Sequence, residues 1–157
     1  INLFNQNNIG TVIKHIPGHG LSKMDTHLQL PYISKKLNYL EKNDFSVFKN
    51  KKSMFAMTAH IVFMALDKND CITHSKKGIR YIRNKIGFKN LIISDDISMK
   101  ALKYTFKENV RKAFTSGCNL VLHCNANMAE MNDLAKISPK VDKFIIKKTS
   151  EFYKLLS

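Results

Sequence analysis

Gly87-Phe88-Lys89-Asn90-Leu91-Ile92-Ile93-Ser94-Asp95-Asp96-Ile97-Ser98-Met99 decides how this chain is read. Leu91–Ile93 is a short apolar run, too short for a buried helix and rich in β-branched Ile, so it reads as a buried strand. Upstream, Ser75 to Ile86 carries Ile79, Ile82 and Ile86 at helical spacing and stops at Gly87. Downstream, the strand runs straight into Ser94-Asp95-Asp96. Two adjacent carboxylates at the end of an apolar strand are costly to bury unless they are paired or do work. Side chains alternate along a strand, so Asp95 and Asp96 are expected to point in opposite directions. One can face a central pocket while the other caps the following helix. Parity does not say which does which.

The same grammar recurs outward from this stretch. Thr11–Ile13, Met54–Met57 and Leu120–Leu122 are apolar runs ending in Lys14-His15, Thr58-Ala59-His60 and His123-Cys124-Asn125. Helical patterns separate them. Ser34 to Leu40 continues toward Phe48, Phe106 to Thr115 ends before Gly117, Met128 to Ile137 precedes Pro139, and Val141 to Leu156 is amphipathic. Strands alternating with helices predict α/β architecture with a parallel sheet, buried on both faces. The notable polar residues all fall at C-terminal strand ends, where such folds keep their active sites. Four βα units are half of a (β/α)₈ barrel, which needs roughly 250 residues when whole. The 157 residues therefore form one domain, either a small open α/β sheet or part of a barrel.

Composition narrows the class. A hydrophobic fraction of 44% with 10% aromatics is that of a globular protein. No apolar run approaches the ~20 residues that cross a bilayer. The Asn-rich start reads as no signal peptide. Lys and Arg number 26 against 12 Asp and Glu, for a formal charge of +14. The basic residues are spread along a Lys-, Asn- and Ile-rich chain without a dense tract, so no nucleic-acid or membrane partner is expected. Three cysteines, Cys71, Cys118 and Cys124, form no CxxC pair and fit a reducing cytosol. Cys118 and Cys124 border an apolar segment and read as small core residues. Six histidines accompany the carboxylates, but no HxH or HExxH spacing occurs, and neither a metal nor another cofactor is expected.

A second cluster is Lys14-His15-Ile16-Pro17-Gly18-His19-Gly20, followed by Asp25-Thr26-His27. A strand ends in Lys and His, turns through glycines, and enters a polar loop. An Asp and a His two apart on such a loop can hydrogen-bond, which fixes the imidazole tautomer and raises its basicity.

The ordered set K-H-I-P-G-H-G, D-T-H, M-T-A-H, G-F-K-N-L-I-I-S-D-D-I-S-M and G-C-N-L-V-L-H-C-N resembles family 3 glycoside hydrolases. More narrowly it resembles their bacterial β-N-acetylglucosaminidase branch, with motifs close to KHFPGHG, D-S-H and SDDLSM. The similarity runs from about Thr11 to Asn125. It implies the C-terminal half of a (β/α)₈ barrel without counterparts of the sugar-binding Asp and Arg of the first half, so the chain is expected to be part of a longer protein, to pair with another chain, or to be an inactive remnant; a metal-dependent barrel hydrolase is the lesser alternative. It also implies a retaining hydrolase in which Asp95 is the nucleophile, His27 the acid/base and Asp25 its dyad partner. Lys14 and His15 match sugar-hydroxyl ligands, Thr26 stands where Ser is usual, and Ile16 replaces Phe. The implied substrate is a small carbohydrate, a GlcNAc-containing muropeptide or chitooligosaccharide, with peptidoglycan recycling as the setting.

Overall fold

The structure, a computed structural model, describes residues 1–22, 24 and 29–156. Asp25 and His27 lie outside the described residues. A four-stranded parallel sheet is formed by β1 (Val12–Ile16), β3 (Phe55–Thr58), β5 (Leu91–Asp96) and β6 (Leu120–Leu122). The strands lie side by side in chain order, β1-β3-β5-β6, as successive staves of a barrel do. The register partners Ile13, Ala56 and Ile92 fix one face, and Met57 with Ile93 the other.

Helices pack on the first of these faces. They are α2 (Leu37–Lys42), α3 (Lys76–Tyr81), α4 (Phe106–Ser116) and α5 (Met128–Ile137). The expected helix to Ile86 ends differently, because α3 passes into a π turn at Ile82–Ile86 before Gly87 closes it at φ 83°. The helix expected toward Phe48 breaks into α2 and a 3₁₀ turn at Ser46–Phe48. Thr105 and Glu108 form a capping box on α4, and Gly117 stops that helix at φ 114°. Between sheet and helices the core is closed by Leu40, Phe45, Phe63, Ile82 and Val110, with Phe45 edge-on to Phe63 at 5.0 Å.

The opposite sheet face is only half-buried, contrary to the expectation of burial on both sides. No strand or helix layer covers it among the described residues except at its lower edge. There α6 (Lys143–Leu156) sets Phe152 edge-on against Phe55 at 4.9 Å. A Cβ at Gly10 would collide with the same Phe152 ring, so glycine lets the helix approach. The short α1 (Asn2–Gln6) and the two-residue pair β2 (Tyr32–Ile33) and β4 (Val62–Phe63) had no sequence pattern long enough to announce them. Cys118 is a core residue as expected, but Cys124 is exposed, because it stands past the end of β6 rather than within it.

One buried polar stretch is unusual for a core: Thr73, His74 and Ser75 are all buried. Burial pushes the His74 imidazole down to about 4, with His60 adding a repulsive contribution. In the unfolded chain the same ring titrates near 6.5. Between these values the unfolded state holds the proton and the folded state does not. Stability therefore declines as pH falls from about 6.5 to about 4, by on the order of 3 kcal/mol in full and about 2 kcal/mol by pH 5, and levels off below. Urea unfolding at pH 7.5 and pH 5 is expected to show this loss, and His74→Gln to flatten much of the slope.

Candidate active site

Every strand of the main sheet ends at one rim, and chemistry gathers there. Ile16 and Pro17 are buried, and the Ile16 carbonyl accepts the Ala59 amide at 2.9 Å, tying the end of β1 to that of β3. Lys14 is exposed. The Lys14–His15 and Ile16–Pro17 peptides are cis. His15 Nε2 lies 3.5 Å from Asp95 Oδ2, with side chains 26% and 16% exposed. β3 stands between β1 and β5, so these side chains meet by projecting over it on the same side of the sheet. His19 stacks obliquely on His15, ring centroids 5.1 Å apart.

The paired aspartates divide their labour. Among the described residues Asp95 Oδ1 accepts a local amide, that of Asp96, at 2.9 Å, and its other oxygen faces His15. Asp96 is a structural knot. Its Oδ1 accepts the Ser98 amide at 3.0 Å, the Ser98 hydroxyl at 2.7 Å and, from the end of β6, the Cys124 amide at 3.1 Å. The Ile97 amide meanwhile donates to the Leu122 carbonyl at 2.9 Å. The expected helix cap is corrected here: Asp96 caps the turn after β5, while the following helix takes its cap from Thr105. Cys124 sits beside this knot. Partial desolvation raises its thiol above the usual range, and the carboxylates of Asp96 and Asp95 add to the effect.

Two residues absent from the sequence-based site also belong to it. His60 is 1% exposed and reaches the Asp96 carbonyl oxygen through Nε2 at 3.1 Å. Its signal was present in Thr58-Ala59-His60, a polar end to an apolar strand. Asp44, from the loop after α2, gave no signal. Its Oδ1 accepts the Gly20 amide at 3.1 Å, and a Cβ at Gly18 would collide with its carboxylate. Desolvation raises the Asp44 carboxyl against the opposing pull of the Gly20 amide and His19. Asp44 thus braces the turn that leads into the segment of Asp25, Thr26 and His27, which is outside the described residues. Lys14, His15 and Asp95 are placed at one rim. No group of three or more His, Cys, Asp or Glu stands together as a metal cradle among the described residues.

Strands in barrel order, with a carboxylate facing a histidine at the rim, define an α/β scaffold of the half-barrel type. The chain matches the glycosyl hydrolase family 3 N terminal domain over residues 1–150, and it belongs to that family. It is 34% identical over 117 residues to a beta-hexosaminidase of Nitrosomonas eutropha, covering 71% of this chain and 34% of that protein. With a beta-hexosaminidase of Neisseria meningitidis it is 37% identical over 117 residues, covering 71% and 32%. The chain thus spans about a third of the length of these curated relatives. Among solved structures, the family 3 beta-N-acetylglucosaminidase of Paenibacillus sp. superimposes with TM-score 0.83 over 99% of this chain and 32% of that one, at 22% identity. NagZ of Neisseria gonorrhoeae, in complex with N-trifluoroacetyl-D-glucosamine, gives 0.79 over 94% and 44%, at 27% identity. The parallel half-barrel expected from the sequence is the architecture observed.

The unequal bonding of the two aspartates predicts unequal stability effects. Asp96→Ala removes the acceptor of two backbone amides and a hydroxyl and is expected to cost about 2–3 kcal/mol. Asp95→Asn keeps an oxygen that can accept the Asp96 amide and is expected to cost less, about 1 kcal/mol or below. Urea midpoints measured on the two variants check the contrast.

Proposed function

We propose that this chain carries the chemical machinery of a retaining hydrolase that removes β-linked N-acetylglucosamine, with Asp95 as nucleophile. The observation that supports this most is the position of the Asp95 carboxylate, which accepts the Asp96 amide through Oδ1 and turns Oδ2 toward His15 at the strand-end rim. Asp96 by contrast has its Oδ1 engaged three times over in holding the backbone. Membership of the family supports the reaction class.

In this reading Asp95 attacks the anomeric carbon while His27 protonates the leaving oxygen. The glycosyl ester on Asp95 then meets a water that His27 deprotonates, releasing the sugar and restoring both groups. Asp25 holds the His27 tautomer and keeps its basicity matched to both half-reactions. Lys14 and His15 bind sugar hydroxyls beside the nucleophile. The substrate is a GlcNAc-containing muropeptide or chitooligosaccharide, and the setting is the cytoplasm and peptidoglycan recycling. Residues 1–157 act as a single partial catalytic domain, completed by a first half that supplies the remaining sugar ligands. The relatives named beta-hexosaminidase support the substrate class, and the one-third coverage supports the need for completion.

Hydrolysis of a chromogenic β-GlcNAc glycoside by this chain and by an upstream-extended protein tests the reading. Asp95→Asn is expected to lower kcat by at least about 10³-fold. A slowly turned-over fluorinated GlcNAc donor is expected to leave a glycosyl adduct on the peptide containing Asp95. An extended protein that neither hydrolyses the glycoside nor carries the adduct would sink the proposal. Activity confined to the extended protein would locate the missing sugar ligands upstream.

A further inference from the structure

His60 is buried to 1% and makes hydrogen bonds at both ring nitrogens. Nε2 lies 3.1 Å from the Asp96 carbonyl oxygen, which can only accept, so Nε2 carries a proton. Nδ1 lies 2.7 Å from Thr73 Oγ1, and Thr73 Oγ1 lies 2.8 Å from Thr58 Oγ1. Both threonines are fully buried. With a neutral ring, Nδ1 is bare and accepts the Thr73 proton, which leaves Thr73 to accept from Thr58. Only one direction of donation satisfies all three groups: Thr58 to Thr73, Thr73 to His60, His60 to the Asp96 carbonyl.

The charges around the ring act in both directions. Asp95 and Asp96 on β5 favour the imidazolium. Burial acts most strongly and disfavours it, and His15 on β1 opposes it as well. His74, from the turn before α3, packs 6.5 Å away. The net direction is downward, toward a neutral ring.

We propose that His60 is a positioning residue for Asp95: as a neutral, Nε2-protonated imidazole oriented by Thr73 and Thr58, it clamps the Asp96 carbonyl and thereby the backbone from which Asp95 projects. This rests on the reading of Asp95 as nucleophile. The clamp acts on the Asp96–Ile97 link. The preceding link, Asp95–Asp96, carries the amide that donates back to Asp95 Oδ1 at 2.9 Å, so a shift at Asp96 reaches the carboxylate through that one residue. The opposite edge of the clamped link is held by the Ile97 amide on the Leu122 carbonyl at 2.9 Å, and the Asp96 side chain is tied to Ser98 and Cys124. His60 therefore supplies the restraint from the β3 side, between the strands that carry His15 and Asp95.

The two amide isosteres separate this role from plain core filling. His60→Gln places an N–H donor where Nε2 stood, whereas His60→Asn reaches Thr73 but not the Asp96 carbonyl. Long-range ¹⁵N–¹H NMR of the full chain is expected to show His60 neutral and Nε2-protonated at pH 7.5. Amide exchange at Ile97 is expected to rise at least about tenfold in His60→Asn, to stay near wild type in His60→Gln, and to be unchanged at Ile92 in both. Where hydrolysis is measured, His60→Asn is expected to lower kcat about tenfold or more with KM nearly unchanged, and His60→Gln to restore most of it. An Nδ1-protonated ring, an imidazolium at pH 7.5, or equal Ile97 exchange in the two variants overturns the proposal, with or without hydrolysis. Full hydrolysis by Asp95→Asn overturns the nucleophile reading instead and leaves the NMR and exchange results as they stand.

Discussion

A parallel sheet with helices against one face gives its polar side chains access to water chiefly at the ends of its strands. That constraint governs this molecule. Ala56 and Ile92 are sealed against the helices, and Ser94, inside the same strand as Asp95, is fully buried with the Leu122 amide as donor to its hydroxyl. One and two residues later the chain reaches the rim, and carboxylates become tolerable. Because all four strands run the same way, their rims coincide, and residues far apart in sequence, such as His15 and Asp95, come within 3.5 Å. The site is a consequence of strand direction before it is a consequence of any individual contact.

Within that frame the backbone at the end of β5 needs its own fastening. On the β3 side the ladder ends at Ile93, and on the β6 side the register shifts between Ile93 and Asp96. Side chains reinforce it: Asp96 binds the Ser98 and Cys124 amides, and His60 binds the Asp96 carbonyl. Neighbouring residues of one type are thus bonded unequally. Among the described residues Asp96 accepts the Ser98 and Cys124 amides and the Ser98 hydroxyl, whereas Asp95 accepts the Asp96 amide and faces His15.

How much of this was legible in the sequence follows from the range of each cause. The strands were legible because apolar runs between turn residues are a local signal, although β1 and β5 extend past their apolar residues into Ile16 and Asp96. Gly87 and Gly117 marked their helix ends through the positive φ that glycine allows. The resemblance selected Asp95 over Asp96, which parity alone left undecided. Asp44 was invisible, because its partner is the backbone amide of Gly20, two dozen residues away, and no local pattern encodes it. His60 stood in plain view at a strand end, but its partner is a main-chain oxygen on another strand, which no side-chain motif records. The half-covered sheet face was misjudged for the same reason: an apolar run reports that a strand avoids water and does not report which layer covers it.

The brace at Asp44 and the short ladder of β2 with β4 carry one more implication. The Gly20 amide is fixed by Asp44, and the Pro31 carbonyl is fixed by the Val62 amide at 2.9 Å. Gly20 is thus fastened to the loop after α2 and Pro31 to β4, and neither fastening draws on the main sheet. The two sets of restraints are separate: loss of the Asp44 brace would release the Gly20 turn and leave the strands that carry Lys14, His15 and Asp95 paired as they are.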